Sequence, residues 1–252
     1  MKNKNLLFTL FASFFIVFTA SAQMPETDSG KIKKILPPVQ KFYVATALDG
    51  PIFSSATIQE NSGSTVKNKT GTIRFSDVIN YGFTFNFNIG RHLGIYTGID
   101  VKNIGFIEKD ASANTVKRRT YNLGVPVGIK IGNMVTAKPY LLLGGGVDAP
   151  FNYREKTFVI RDQKTKFSEW FSSRTPATMP YVFAGASVYR GVTVKAQYYP
   201  GNFLNPEFTA SNGTKPYAGY EVHLILLSLG FPVQISKHHD IVKQQVTGLN
   251  IM

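Results

Sequence analysis

Between Tyr121 and Gly132 the chain reads Tyr-Asn-Leu-Gly-Val-Pro-Val-Gly-Ile-Lys-Ile-Gly, so every second residue is Tyr, Leu, Val or Ile and those between are Asn, Gly, Pro or Lys. Successive side chains of a β-strand project to opposite faces, which makes this segment apolar on one face and small or polar on the other. Tyr81, Phe83, Phe85, Phe87 and Ile89 alternate in the same way with Gly82, Thr84, Asn86, Asn88 and Gly90. Leu93, Ile95, Ile99 and Val101 do so with Gly94, Gly98, Asp100 and Lys102. Strands of this kind belong in a sheet whose two faces meet unlike surroundings.

The first residues indicate which surroundings. Lys2 and Lys4 precede an apolar stretch from Leu6 to Val17, followed by the small residues Thr19-Ala20-Ser21-Ala22. That order of charge, apolar core and small-residue cleavage site predicts a signal peptide over 1–22, and the apolar core is shorter than the ~20 residues of a spanning helix. With no cysteine in the chain, disulfides and thiolate metal sites are excluded. No later stretch is long and apolar enough to cross a membrane as a helix, so any crossing is expected as strands. The net charge of +13 raises the question of a nucleic-acid partner. Export argues against one, and the cations fall in segments expected as loops, facing phosphate-bearing head groups or water.

Eight strands are predicted near 42–49, 74–89, 93–107, 119–132, 138–149, 179–189, 192–199 and 217–231. Long polar connections (50–73, 108–118, 150–178, 200–216) alternate with short ones (90–92, 133–137, 190–191). Long loops at one rim and tight turns at the other describe an outer-membrane barrel. The expected fold is therefore all-β, an eight-stranded antiparallel up-and-down transmembrane β-barrel over 41–233. A signal peptide (1–22) and a flexible periplasmic lead (23–40) precede it, and a periplasmic tail (234–252) follows. Two aromatic girdles are expected, from Tyr81, Phe106, Tyr121, Phe151, Tyr181, Tyr198 and Tyr217 at the long-loop ends and Tyr43, Tyr140, Tyr189 and Phe231 at the short-turn ends. A soluble lipocalin-like barrel, apolar inside, is the alternative. Its outer face should be rich in Lys, Glu and Thr, whereas the polar positions here are mostly Gly, Asn and Thr, which suit a crowded bore.

The run Tyr121-Asn-Leu-Gly-Val-Pro-Val-Gly-Ile-Lys130, a Y-x-L-x-(I/V)-P-(V/L) strand, resembles the porin-family or PorT-like outer-membrane β-barrels of Gram-negative bacteria. Lys138-Pro-Tyr-Leu-Leu-Leu-Gly-Gly-Gly146 and the closing Val222-His-Leu-Ile-Leu-Leu-Ser-Leu-Gly-Phe231 extend the resemblance over about Lys41 to Val233. The resemblance implies the outer membrane as location and brings no catalytic residue with it. The segment 232–252 departs from the family's pattern, in which the last strand's aromatic residue often ends the chain.

Charged residues within the predicted strands are Asp100, Lys102, Lys130, Lys195, Glu221 and His223, read as a polar network inside the barrel, where charges are expected to pair. Lys117, Arg118 and Arg119 stand where the fourth strand leaves the outer rim and are expected to contact lipid head groups. Phe167, Trp170 and Phe171 stand at i, i+3 and i+4, which would place three rings on one face of a short loop helix over the barrel mouth. His92, His223, His238 and His239 lie apart from any plausible nucleophile, so no catalytic set is assigned, and His238-His239-Asp240 is read as solvated rather than metal-binding. The expected function is non-enzymatic and structural, adhesive or envelope-assembling, without cofactor. Its partners are outer-membrane lipid, lipopolysaccharide and other envelope proteins. An accessory role in protein secretion and a small-solute channel are the alternatives.

Overall fold

The computed structural model describes residues 38–62, 65–76, 80–110, 114–135, 139–159, 164–188, 192–231 and 233–234. The segment expected as a signal peptide, nearly all of the expected lead and tail, Tyr189 and His238-His239 lie outside these residues. The described residues form twelve strands: β1 (Phe42–Ser62), β2 (Thr65–Thr70), β3 (Arg74–Ser76), β4 (Asn80–Asn88), β5 (Leu93–Lys109), β6 (Thr115–Gly132), β7 (Tyr140–Phe158), β8 (Lys164–Trp170), β9 (Met179–Ser187), β10 (Thr193–Tyr199), β11 (Tyr220–Gly230) and β12 (Val233–Gln234).

Eight of them form a closed wall, β1-β4-β5-β6-β7-β9-β10-β11, every neighbour antiparallel and β11 returning to β1. Closure removes the unpaired edges that an open sheet would present. The other four lengthen the wall. β2 and β3 continue along β1 where β4 leaves off, pairing with Thr57–Ser62 and Ile52–Ser54, and β8 takes over from β9 as the neighbour of β7. β12 adds a short pairing to the start of β1.

Three of the four connections expected as long loops are therefore largely paired strand, while 200–216 stays a loop. The β5–β6 ladder runs on to Lys109↔Thr115, and the β6–β7 ladder to Thr115↔Phe158. The short loop helix expected to carry Phe167, Trp170 and Phe171 is not formed; Lys164–Trp170 is strand β8, each residue matched to one of β7 from Phe158 back to Asn152. One extra residue interrupts the β6–β7 ladder: Tyr121 faces Asn152 and Asn122 faces Pro150, leaving Phe151 unpaired. Such a bulge reverses the facing of the residues beyond it. Leu142 and Asp148 face inward before it, Tyr153 and Glu155 after it.

Candidate functional site

Alternation sorts each wall strand into a buried inner set and an exposed outer set. In β6 the buried residues are Thr120, Asn122, Gly124, Pro126, Gly128 and Lys130, and the exposed ones Leu123, Val125, Val127, Ile129 and Ile131. Phe83, Phe85, Phe87, Ile95, Ile99, Val182, Ile225 and Leu227 continue that exposed apolar belt around the barrel.

The bore is filled in layers. At the short-turn end Lys130 is 1% exposed, its Nζ donating to Tyr43 Oη (2.9 Å), Asn86 Oδ1 (3.1 Å) and Asn88 Oδ1 (3.3 Å). A cavity of about 450 Å³ lies beside it, with the Lys195–Asp49 ion pair on its wall. In the middle, Lys102 Nζ lies 2.9 Å from Asp148 Oδ1 and 3.5 Å from Asp100 Oδ1, and 3.7 Å above the Tyr181 ring. Tyr199 Oη donates to the second oxygen of Asp148 at 2.6 Å. The carboxylates leave room for no side chain at Gly124, where a Cβ would stand 2.2 Å from Asp100 Oδ1 and 2.5 Å from Asp148 Oδ1.

Above this polar layer the bore is apolar, packed with Ile52, Ile58, Ile104, Phe106, Val222, Leu224 and Leu226. Phe203 and Leu204, from the connection between β10 and β11, enter from the outer rim, the Phe203 ring edge-on to Phe106 at 5.4 Å. Arginines cap the stack. Arg118 sits between Glu108 and Glu155, whose Oε2 also accepts from Tyr153 Oη at 2.6 Å. Arg174 Nε lies 3.3 Å from Glu169, and its guanidinium 4.7 Å from the Phe167 ring and 4.4 Å from that of Phe208.

Four residues of the expected polar network, Asp100, Lys102, Lys130 and Lys195, face the bore as expected. Glu221 and His223 do not. They share the outer face of β11 with Ile225 and Leu227, because Val222, Leu224, Leu226 and Ser228 are the buried set. The partners Asp148 and Asp49 were missed, although Asp148 keeps the parity of Gly144 and Gly146 in its strand.

Arg118 likewise departs from its expected cluster. Strand parity turns it inward to its carboxylates while Lys117 and Arg119 stay outside. Of the three loop rings, Phe167 faces inward beside Tyr153, and Trp170 stacks outside on Phe151 at 5.9 Å and 20°. Phe171 lies beyond the strand in a left-handed turn, φ 49°. The girdle assignments need the same correction. Phe106, Tyr181 and Tyr217 are buried in the interior, and Tyr43 and Tyr140 flank Lys130. The outward rim is left to Tyr81, Tyr121, Phe151, Trp170 and Tyr198.

A closed eight-stranded sheet, apolar outside and ion-paired within, is a transmembrane β-barrel; a soluble barrel has the reverse arrangement. No family model and no curated protein matches the chain. Among solved structures, it is similar to the attachment invasion locus protein Ail of Yersinia pestis, crystallised with the heparin analogue sucrose octasulfate (12% identity, 76% of this chain, 98% of that one, TM-score 0.32). Neisserial surface protein A is also similar (13%, 79%, 100%, 0.35). So is the outer membrane protein AlkL in DMPC bilayers (15%, 86%, 100%, 0.39).

Proposed function

We propose that this protein is a non-enzymatic barrel of the Gram-negative outer membrane that holds a rigid β-hairpin surface outside the bilayer, in a structural, adhesive or envelope-assembling role. The observation that carries this reading is the filling of the bore: ion pairs in its middle, a buried apolar layer above them, and Phe203 and Leu204 inserted from the rim. An interior of about eight strands is filled by side chains when they are large, and here they are. The extended ladders β1–β2, β5–β6 and β7–β8 then make up the part of the molecule available to partners, outer-leaflet lipid and lipopolysaccharide among them. Export by the signal peptide 1–22 and membership of the PorT-like barrels belong to the same reading, resting on the sequence motifs.

Planar-bilayer recordings of the purified protein test it. The expected outcome is no large, stable conductance. A reproducible wide channel in the wild type would favour the small-solute channel instead.

A further inference from the structure

Along the outer face of β6 the side chains run Ile131, Ile129, Val127, Val125, Leu123, Tyr121, Arg119, Lys117. Ile131 to Tyr121 is ten residues, which at ~3.4 Å each and a tilt of about 40° spans roughly 26 Å of membrane normal, close to the ~25 Å apolar band of such barrels. Tyr121 therefore marks the edge of the hydrocarbon, and Arg119 and Lys117 stand in the head-group layer above it.

Neighbouring strands extend this pattern sideways. Arg119 pairs directly with Arg154, and Lys117 with Lys156, which pairs in turn with Lys166. Lys164 lies two residues further along β8 on the same face. Like charges directly opposite each other destabilise a sheet, so a patch of this kind, with no acidic side chain on its face among the described residues of these strands, calls for an anion. The acidic residues of these strands cannot supply it, since Glu155 and Glu169 face inward to Arg118 and Arg174. The mutual repulsion also pushes the Lys156 ammonium below the usual lysine range, with Arg119 as the largest contributor and burial, Lys166, Lys164 and Lys117 behind it. Both arginines already lie over Tyr121, Arg119 at 5.8 Å and Arg154 at 5.3 Å from the ring centroid, tying the cations to the membrane edge.

We infer that Lys117, Arg119, Arg154 and Lys156, backed by Lys164 and Lys166, form a binding site for the phosphate groups of lipopolysaccharide in the outer leaflet. The assignment rests on the outer-membrane reading above. Lipid is the source because the patch continues a lipid-facing stripe without a break, and because guanidinium and ammonium groups in a two-row array suit the paired phosphates of lipid A.

The test uses the full chain, refolded and shown by its heat-dependent gel mobility to be a closed barrel. Binding of fluorescent lipopolysaccharide is measured at low and high salt for wild type and for the variant Lys117→Gln/Arg119→Gln/Arg154→Gln/Lys156→Gln. A control, Lys41→Gln/Arg91→Gln/Lys215→Gln, removes exposed cations that lie outside these ladders. The patch variant is expected to bind at least about tenfold more weakly at low salt, with the difference shrinking at high salt, and the control to bind as wild type does. Lys117→Arg/Lys156→Arg should retain binding, and lipid A stripped of its phosphates should not bind. Equal binding by patch variant and wild type, equal loss in the control, or equal binding of the stripped lipid overturns the site. Tighter binding of a soluble sulfated polysaccharide than of the lipid, lost in the patch variant, overturns the lipid as its ligand. Should the fourfold variant not close, Lys117→Gln/Lys156→Gln carries the same comparison. Failure of the wild type itself to insert into vesicles would instead refute the outer-membrane reading.

Discussion

Lys102 and Asp148 meet across the bore at 2.9 Å, the ammonium side chain 2% and the carboxylate 0% exposed. Lys102 also serves Asp100, so the two partners are not equivalent. Lys102→Met strands two buried carboxylates and is expected to cost about 3–5 kcal/mol. Asp148→Asn leaves Lys102 paired with Asp100 and keeps an acceptor for Tyr199, so its cost should be clearly smaller. Urea unfolding from lipid vesicles measures both; equal losses would mean that the lysine is not shared.

The two faces of β6 can be probed at adjacent positions. Val127 is 59% exposed in the middle of the apolar belt, and Val127→Arg should cost about 2–4 kcal/mol when folding into vesicles is measured. Gly128, its bore-side neighbour, has no spare room: a Cβ there would stand 2.8 Å from Tyr96 Cε1 and 2.9 Å from Phe183 Cζ. Gly128→Ser is therefore expected to cost about 1–3 kcal/mol through overpacking. The causes separate by rescue: Phe183→Leu should recover stability in the Gly128 variant and not in the Val127 variant.

Trp170 is the only tryptophan, so its fluorescence reports one place. It sits in register with Asn152 and Tyr121 and projects outward, 64% exposed, at the level assigned to the membrane edge. Lipids brominated near the head group should quench it more strongly than lipids brominated at the chain ends. The reverse order would move the membrane boundary outward along β6.

The depressed Lys156 gives a pH signature. Its folded pKa lies below its unfolded one, so repulsion destabilises the folded state fully below the folded pKa and is relieved as pH rises towards the ordinary lysine value. Lys156→Gln should therefore raise the urea midpoint slightly at neutral pH and low salt, with the gain over wild type fading as the pH is raised or salt is added. A gain that persists at high pH would mean that the effect is not electrostatic.

What could be read beforehand follows from where apolar periodicity exists. β4, β5 and β6 cross the bilayer with one apolar face each, and their alternation announces them. β2, Thr-Val-Lys-Asn-Lys-Thr, and β8, Lys-Thr-Lys-Phe-Ser-Glu-Trp, stand above the membrane, where neither face meets lipid, so polar strands pass for loops. β11 fails in the opposite way. Val222, Leu224 and Leu226 line the buried apolar layer while Ile225 and Leu227 face outward, so both faces are apolar and Glu221 and His223 give no indication of which way they turn. The single extra residue at Phe151 reverses the facing of everything beyond it in β7, and counting from the short-turn end misplaces Glu155 and Arg154. Phe203 and Leu204 follow no period at all; only the space they fill identifies them.

The seam between β1 and β11 sets an order of events. Ile58 faces Val222, and Gln59 faces Glu221, so the first long strand to be delivered waits for nearly the whole wall before its final neighbour arrives. Every other wall contact joins segments closer along the chain, and those ladders can zip in sequence as the polypeptide emerges. Until the seam shuts, one margin of β1 and one of β11 are bare, and the apolar layer above Lys102 is open to water. Assembly is then vulnerable at its last step, and a chaperone or insertion machine that shields a single strand margin would be guarding this one.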